Sequence, residues 1–472
     1  MKTLKTLLKC SALSTALAVC PWAQAQSTAE FQRHMEASTR NTGGDPSLVQ
    51  SWRAFYCNLP DDNNRIVLEQ RAKNVIRMPL TRLFDDVWYI GSEYVGTYII
   101  KNERGFVMVD SGNNAQEVET YTVPALRSLG LSASLPLNAV LLTHGHGDHD
   151  GGMNYLRTNL GAIAYLGAAD AAGKAYQPAT WVSTDRAPKN VTIAGVPVTV
   201  LATPGHTPGA TAYVIEAHDK GKPVRLFVSG GSSMQAAAPL IRDYLDSMER
   251  TYALVKGQKI DSASNPHVYW DGSVNLVKKI QAEGLRSPSQ FIIGNEKLLR
   301  ALAVGRECTA AWLARQDAAT SVPVWRVSAL DFLPATPAPN RLAARLSNGW
   351  GPLALQQVSF RVNADGAVCT ATTDAGGVAT CPVPAGLRAG VDRVTATFEG
   401  GTGPGIVDLG SETTATVDFG CNDLLAVKAI IGARRNTAAY VPRLDVDGSG
   451  VIDIRDVSAI ARLIPAGLSC NA

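Results

Sequence analysis

One short segment concentrates the histidines of this chain and constrains its fold most strongly. Residues 141–152 read LLTHGHGDHDGG, so that three of the seven histidines and two aspartates fall within seven consecutive positions. The apolar run before them predicts a buried strand, and the polar residues then lie on the loop that leaves it. His144 and His146 are two positions apart, so both side chains can face one side, and Asp148 and His149 follow as the next helix begins. Neutral imidazoles and a carboxylate are ligands that suit zinc.

Further ligands for such a site stand at two other strand-to-loop junctions. His206 lies in TPGHTPG, directly after the predicted strand PVTVLAT, where proline and glycine favour a tight loop. His267 lies in the predicted loop SNPHVYWDG, whereas His34 and His218 fit no such pattern. The histidines therefore predict a metal site that is assembled from several loops.

Length and composition limit the kind of protein that can carry this site. At roughly 100 to 200 residues per domain, a chain of 472 residues predicts two to four domains. A content of 46% apolar and 18% charged residues is typical of a globular protein and excludes a disordered or fibrous chain. The formal net charge is +3 and falls to 0 without the three lysines of residues 1–25, so a nucleic-acid partner is not expected.

The N-terminus has the pattern of a secretory signal peptide. Three lysines precede an apolar segment, and AQA at residues 23–25 forms a small-residue cleavage site, so we expect residues 1–25 to be removed. A lipoprotein site at Cys20 is the weaker alternative, because Val19 is large where a small residue is needed. No later stretch reaches about 18 uninterrupted apolar residues, so no membrane span is expected. The mature protein is predicted to be periplasmic or secreted.

The cysteines predict a disulfide in each part of the chain. Six remain after the predicted signal peptide, and none forms a CxxC pair. An even number in an exported chain favours disulfides over metal sites. From their positions we expect three pairs, which are Cys57 with Cys308, Cys369 with Cys381, and Cys421 with Cys470.

The first and largest part of the chain mixes strands with helices. β-Like runs occur at residues 94–101, 106–110, 138–143, 197–203, 211–215 and 225–229, and helical spacing occurs near 152–160 and at 239–255, 273–283 and 295–316. This order predicts an α+β domain over residues 76–318, in which helices cover sheets. A helical N-terminal extension is expected over residues 26–75.

The remainder predicts two smaller domains. From about residue 316, helix-forming residues give way to β-branched residues and to turns rich in Gly, Asn and Asp. Short, regularly spaced runs predict an all-β sandwich over residues 322–420. This segment resembles a bacterial immunoglobulin-like domain, which implies a spacer or a contact module. A further change at Cys421 opens a small helical domain over residues 421–472.

The HxHxDH segment and the downstream TPGHTPG together resemble the metallo-β-lactamase-fold hydrolase superfamily, over roughly residues 75 to 315. The resemblance implies a four-layer αββα sandwich with two zinc ions at the sheet edge. It also implies two ligand sets by motif position, which are His144, His146 and His206 for the first zinc and Asp148, His149 and His267 for the second. Asp110, which ends the run FVMVD, matches a family aspartate near the metal loop; its equal alternative is a turn former at the end of a strand.

The loop after the predicted strand RLFVS separates branches of this superfamily. Glyoxalase II-like and lactonase-like members carry a metal-bridging aspartate there, whereas this chain has GGSS at residues 230–233. β-Lactamases place a cysteine or serine at this point, so Ser232 or Ser233 fits their pattern. With His149 available, the chain is most similar to their third subclass and its exported relatives. Those relatives are expected to have SNHP where this chain has SNPH, so His267 would bind zinc from a shifted loop.

The resemblance implies a secreted dinuclear zinc hydrolase that attacks a carbonyl, in an amide, a lactam or an ester, with a metal-bound hydroxide. Asp148 is the predicted catalytic residue, because it would orient that hydroxide. Tyr269 and Trp270 are candidate walls of the pocket for a small-molecule substrate. The alternative function is a surface or extracellular interaction protein, dockerin-like and related to carbohydrate degradation, with an incidental or degenerate hydrolase domain.

The segment DVDGSGVIDIRD at residues 445–456 has the oxygen-ligand spacing of an EF-hand calcium loop. The predicted ligands of one calcium ion are Asp445, Asp447, Ser449, the Val451 carbonyl, Asp453 and Asp456, with Gly450 at the sharp turn. Aspartate at the last position resembles dockerin modules, but only the helix of a second repeat is present. We therefore expect a calcium-stabilised cap in preference to a module that docks to a cohesin-type or cell-surface partner.

Overall fold

The computed structural model describes residues 21–45, 48–58, 67–181, 186–333, 341–363, 366–382, 392–416, 419–441, 444–464 and 470. Residues 1–20, with most of the predicted signal peptide, lie outside the described residues, as does part of the predicted N-terminal extension. Within the described part of the chain, no helix combines the length and the apolar character that crossing a membrane requires.

The first sheet has seven strands in sequence order, antiparallel from β1 to β4 and parallel from β4 to β7. Its strands are β1 (Arg77–Arg82), β2 (Val87–Ser92), β3 (Gly96–Asn102), β4 (Gly105–Val109), β5 (Leu137–Leu141), β6 (Ile163–Gly167) and β7 (Ala179–Trp181). Every residue of β4 is buried. A continuous apolar run such as GFVMV is what a strand covered on both faces requires.

The second sheet has five strands in the order β12-β11-β10-β9-β8, and all neighbours are antiparallel except β11 and β12. Its strands are β8 (Lys189–Ile193), β9 (Val196–Ala202), β10 (Thr211–Asp219), β11 (Lys222–Val228) and β12 (Ser262–Ser264). The strands that the sequence predicts in the first 230 residues are thereby confirmed.

Helices lie before, between and after these strands. They are α1 (Pro21–Arg40), α2 (Leu48–Cys57), α3 (Ala115–Glu117), α4 (Val123–Ser128), α5 (Gly147–Asp150), α6 (Met153–Leu160), α7 (Ala238–Gly257), α8 (Ser273–Glu283), α9 (Asn295–Gln316), α10 (Cys421–Ala429) and α11 (Ile454–Leu463). The helices predicted by apolar spacing at residues 239–255, 273–283 and 295–316 are confirmed within two residues at each end.

Three apolar cores define the layers of this mixed α/β region. Val107 and Leu141 of the first sheet pack with Val198 and Tyr213 of the second, so the two sheets lie face to face. The outer face of the first sheet packs against α4 and α6. The outer face of the second packs against α2, α7 and α9. Helix, sheet, sheet and helix therefore follow one another, and the disulfide between Cys57 and Cys308 joins α2 to α9.

The later part of the chain is β-rich, as predicted. Its strands are β13 (Val324–Phe332), β14 (Arg341–Asn348), β15 (Gly351–Pro352), β16 (Gln357–Val362), β17 (Gly366–Thr372), β18 (Val378–Pro382), β19 (Arg393–Gly403) and β20 (Ile406–Thr416). Cys369 and Cys381 join β17 to β18. Val427 and Ile460, from α10 and α11, are buried in the same core as Phe360 of β16, so the C-terminal helices pack on this region. Cys421 is bonded to Cys470, which completes the three predicted disulfides.

Candidate metal centre

Three loops carry the predicted zinc ligands to one place. Strand β5 ends at Leu141, and the turn after it holds His144 and His146 before α5 begins. His206 lies between β9 and β10, which pair as a hairpin. His267 follows the short strand β12, which is parallel to β11. The strands fix where each loop starts, and the loops then converge.

His144, His146 and His206 form the first cluster. His206 Nε2 lies 3.1 Å from His144 Nε2 and 3.1 Å from His146 Nδ1. One ring nitrogen from each residue falls within a group whose members are all within 4.8 Å of one another. His144 and His206 are buried, whereas His146 is exposed toward the cleft. Three imidazole nitrogens that face a common point form a site for a cation.

Asp148, His149 and His267 form the second cluster. His149 Nε2 lies 3.0 Å from His267 Nε2. The Asp148 carboxylate oxygens lie 3.8 Å from His149 Nε2 and 3.5 Å from His267 Nε2. The proline that precedes His267 therefore does not remove this histidine from the cluster.

The far side of each ring shows which nitrogen carries the proton. His206 Nδ1 lies 2.6 Å from the Ser233 carbonyl oxygen, and His267 Nδ1 lies 3.3 Å from the Tyr94 carbonyl oxygen. A carbonyl oxygen only accepts, so both Nδ1 atoms donate, and the neutral rings present Nε2 lone pairs to the clusters. Outer hydrogen bonds of this kind hold metal-binding histidines in one tautomer and one orientation.

Asp110 holds the ring of His149 by a hydrogen bond of the same kind, and Thr143 holds the ring of His144. The Asp110 carboxylate lies 2.7 Å from His149 Nδ1 and accepts the Thr143 backbone N–H at 2.7 Å and the Thr143 hydroxyl at 2.9 Å. Because that hydroxyl donates to Asp110, its lone pair is available to His144 Nδ1 at 3.1 Å. Asp110 is fully buried with a φ of 60°, an unfavourable conformation for a non-glycine residue that these contacts hold in place.

Burial keeps most of the histidines neutral. It lowers the pKa of His144 well below its ordinary value, and the neighbouring rings add to the effect. It lowers the pKa of His206 to about 4 and that of His267 to about 3. Burial also opposes protonation of His149, but the Asp110 carboxylate outweighs it, so that pKa is raised. Neutral imidazole is the form that binds a metal ion.

Asp148 remains a carboxylate in spite of its partly buried position. Burial alone raises the pKa of this group, but the positive charge that His149 and His267 can carry outweighs the burial and lowers the pKa. An ionised Asp148 accepts hydrogen bonds and binds cations through either oxygen. It is half-buried at the mouth of the second cluster, where it faces the cleft.

Asp170 is a residue of this centre that the sequence analysis missed. Its carboxylate accepts from Gly145 N at 3.0 Å in one histidine loop, and from the Thr207 hydroxyl at 2.6 Å and Gly209 N at 2.9 Å in the other. It therefore joins the loop of His144 to the loop of His206. Its position after β6 was a usable signal, because the carboxyl ends of parallel strands share one sheet edge with Asp110 and the β5 loop.

Both clusters open into a cleft with about 1120 Å³ of empty space. Tyr94 and Tyr269 line one side, with their rings stacked at 5.6 Å and nearly parallel. The interpretation of Trp270 as a pocket wall is wrong, since this side chain is only 3% exposed and stacks on Phe55 in the core. A large apolar ring next to an aromatic core is more stable buried than facing water.

The two histidines outside the motifs contact carboxylates elsewhere. His34 Nδ1 lies 2.7 Å from the Glu307 carboxylate inside the core between α1 and α9. His218 Nδ1 lies 2.7 Å from the Asp86 carboxylate. Neither belongs to a cluster of metal-binding type within the described residues.

The predicted calcium loop is assembled in part. Carboxylate oxygens of Asp445, Asp447 and Asp456 lie within 4.8 Å of one another. Asp445 Oδ1 is buried and has no hydrogen-bond partner among the described residues. Of the other predicted ligands, Asp453 turns its carboxylate to Arg455 at 2.8 Å, and the Ser449 hydroxyl donates to the Val451 carbonyl oxygen at 2.9 Å.

Comparison with known proteins agrees with the histidine motifs. Residues 91–221 match the family model of the metallo-beta-lactamase superfamily. A hydroxyacylglutathione hydrolase of Yersinia pestis (strain Pestoides F) is 36% identical over 115 residues, which are 24% of this chain and 40% of that relative. The chain therefore matches less than half of the length of this curated relative. The chain contains a metallo-beta-lactamase superfamily domain, which is a hydrolase-type domain.

Two solved structures are also similar. BJP-1, a subclass B3 metallo-beta-lactamase of Bradyrhizobium japonicum, shares 23% identity with a TM-score of 0.38, over 49% of this chain and 92% of that one. A beta-lactamase from Chitinophaga pinensis shares 21% identity with a TM-score of 0.40, over 48% of this chain and 92% of that one.

Proposed function

We propose that this protein is a dinuclear zinc hydrolase that attacks a carbonyl group in an amide, a lactam or an ester. The observation that carries the proposal is the pair of clusters at the cleft, each with three ligand atoms of the kind that zinc prefers. His144, His146 and His206 would hold one ion, and Asp148, His149 and His267 the other.

The surroundings of the clusters fit such ions. Nε2 atoms of His149 and His267 face each other at 3.0 Å, and those of His144 and His206 at 3.1 Å. Two neutral nitrogen lone pairs at this distance repel each other, and a cation between them converts the repulsion into coordination. The nitrogen and oxygen donor set, with tautomers held from behind, favours zinc over a hard oxygen-seeking ion.

The protein side chains have distinct parts in the proposed reaction. Zinc in these sites would supply a Lewis acid and a water with its pKa lowered to about 7. Asp148 accepts a hydrogen bond from the attacking water and so aims its lone pair at the carbonyl carbon. Asp110, Thr143 and Ser233 hold the imidazoles in one tautomer and one orientation, which maintains the geometry on which the attack depends.

The loop at residues 230–233 fits the β-lactamase pattern that the sequence resemblance implies, and this pattern favours a carbonyl substrate. This loop has no aspartate that could bridge two ions. It contributes instead the Ser233 carbonyl, which fixes His206, while Ser232 is buried and accepts from Tyr244.

Metal analysis and a substrate panel test the proposal together. We expect two zinc ions per chain after reconstitution, and hydrolysis of nitrocefin or aryl esters that exceeds hydrolysis of a bis-aryl phosphate. Less than one zinc per chain would refute the metal assignment. Faster turnover of the phosphate would refute the substrate class while leaving the metal assignment in place.

We further propose that the protein is exported and that residues 445–456 bind one calcium ion. Three disulfides are compatible with an oxidising compartment. The unpartnered Asp445 Oδ1 supports a cation in the loop, since a buried carboxylate oxygen without a partner is costly. The proposed division is a hydrolase domain at residues 76–318, an immunoglobulin-like sandwich at 322–420 and a helical cap at 421–472. Packing of the cap on the sandwich core favours a stabilising role over docking to a cohesin-type partner.

A further inference from the structure

One wall of the cleft comes from a segment that precedes the family-matched residues. Val67, Arg71 and Asn74 line the cleft together with four of the six cluster residues, two from each cluster. The match to the superfamily begins only at residue 91. This wall therefore lies outside the residues that the family model matches, and its chemistry bears on what the cleft selects.

Arg71 is placed to face a bound molecule. Its guanidinium is exposed and donates to the Tyr94 phenol oxygen, which holds the side chain beside the aromatic wall of Tyr94 and Tyr269. Tyr94 is in turn packed edge-on against His267, with ring centroids 4.7 Å apart. A guanidinium has five N–H donors in a planar fork, so the bond to Tyr94 leaves donors for a ligand.

The remaining lining residues do not compete for the role of anion receptor. Apart from the histidines and Asp148, the polar side chains that line the cleft are the neutral groups of Asn74, Asn113, Gln235 and the two serines Ser232 and Ser233, with the tyrosines. Arg71 is the only lysine or arginine among the described lining residues. An arginine binds a carboxylate through two parallel hydrogen bonds, which fixes the orientation of the bound molecule as well as its charge.

We propose that Arg71 is a specificity-determining residue that selects substrates with a carboxylate next to the scissile carbonyl. The inference rests on the proposed function, because it assumes that the cleft holds the substrate of the zinc centre. The carboxylate would pair with Arg71 and the scissile carbonyl would then lie over the clusters.

Paired substrates test this selection. The variants are Arg71→Gln, Arg71→Lys and the control Arg127→Gln, which changes an exposed arginine on α4 outside the cleft. The substrates are 4-nitrophenyl hydrogen succinate, which is an anion, and 4-nitrophenyl butyrate, which is neutral. For the anion we expect kcat/KM to fall about 10- to 100-fold in Arg71→Gln, chiefly through KM, with partial retention in Arg71→Lys. For the neutral ester, and for the control variant on both esters, we expect changes below about threefold.

A binding measurement separates this inference from the proposed function. Glutarate and its diamide are titrated calorimetrically into the full-length protein after removal of metal. We expect wild type to bind glutarate at least about tenfold more tightly than Arg71→Gln does. We expect the two proteins to bind the diamide with equal affinity. Equal glutarate affinities, or equal losses on both esters, would overturn the role of Arg71. Absence of zinc-dependent hydrolysis of both esters would count against the proposed function, and the glutarate titration would still decide on Arg71.

Discussion

Replacing Asp170 by alanine tests whether the link between the two histidine loops holds the proposed zinc site together. The change removes three hydrogen bonds, from Gly145 N, the Thr207 hydroxyl and Gly209 N. At a net value of about 1 kcal/mol for each, the link contributes about 3 kcal/mol. A loss of 10- to 100-fold in zinc affinity corresponds to about 1.4 to 2.7 kcal/mol, which the link can supply. We therefore expect a loss in this range, and a folded protein.

Competition with a chromophoric chelator measures the zinc affinity, and thermal unfolding of the metal-free protein measures the fold. The zinc affinity of Asp170→Asn should lie between those of wild type and Asp170→Ala, because the amide keeps one accepting oxygen. Asp243→Ala is the matched control, since Asp243 pairs with Arg186 at the surface and reaches neither loop. It should leave zinc affinity unchanged.

Three outcomes would refute the reasoning. Zinc affinity within twofold of wild type in Asp170→Ala would show that the loops keep their geometry without the carboxylate. An equal loss in Asp243→Ala would show a general electrostatic effect. A lower melting temperature with unchanged zinc affinity would assign Asp170 to stability alone.

Three further predictions follow from other parts of the molecule. His146→Ala and Asp148→Ala should each lose zinc and hydrolysis, but the melting temperature of the metal-free protein should not change, because neither residue lies in the core. Retained activity would contradict the ligand sets. Burial raises the pKa of Asp271 to about 7. As the pH rises, the unfolded chain loses this proton at a lower pH than the folded protein does. The free energy of unfolding should therefore fall by at most about 4 kcal/mol from about pH 4 to pH 7. The free energy of unfolding of Asp271→Asn, measured with urea, should lack this dependence on pH. An equal dependence on pH in wild type and variant would exclude the raised pKa of Asp271. Calcium should raise the melting temperature of the full-length protein but not that of Asp445→Ala, and identical calorimetric scans would count against the calcium loop.

The local sequence pattern was sufficient to predict the helices and strands and to identify the candidate ligands. Apolar periodicity predicted α8 and α9 at the bounds that the structure has. Helix α8 buries one face, with Val277 and Ile280, whereas α9 is buried on all sides over residues 301–314. The loops around His144, His206 and His267 supplied candidate ligands because each follows a predicted strand, and the resemblance to the superfamily implied how these residues divide into two sets. That these residues bind zinc, and that the chain divides at residues 318 and 421, stay predictions.

Other features depended on distance in space and not on distance in sequence. Asp170 has no motif of its own, and its function comes from two loops that lie 25 and 37 to 39 positions away. Trp270 follows Tyr269 directly, yet the backbone turns one ring into the cleft and the other into the core. Val427 and Ile460 of the C-terminal helices share an apolar core with Phe360 of the β-rich region, although about 70 to 100 positions separate them in the sequence.

The sequence by itself therefore determined which groups can bind metal and which segments form strands and helices. These properties are set by side-chain chemistry and by the period of burial along a few residues. Only the tertiary structure decided that Asp110, Thr143 and Ser233 fix the tautomers of the histidines, and that Asp170 ties two of their loops together. The physical reason is that a hydrogen bond requires two groups at about 3 Å, and packing of the sheets brings distant segments to that distance.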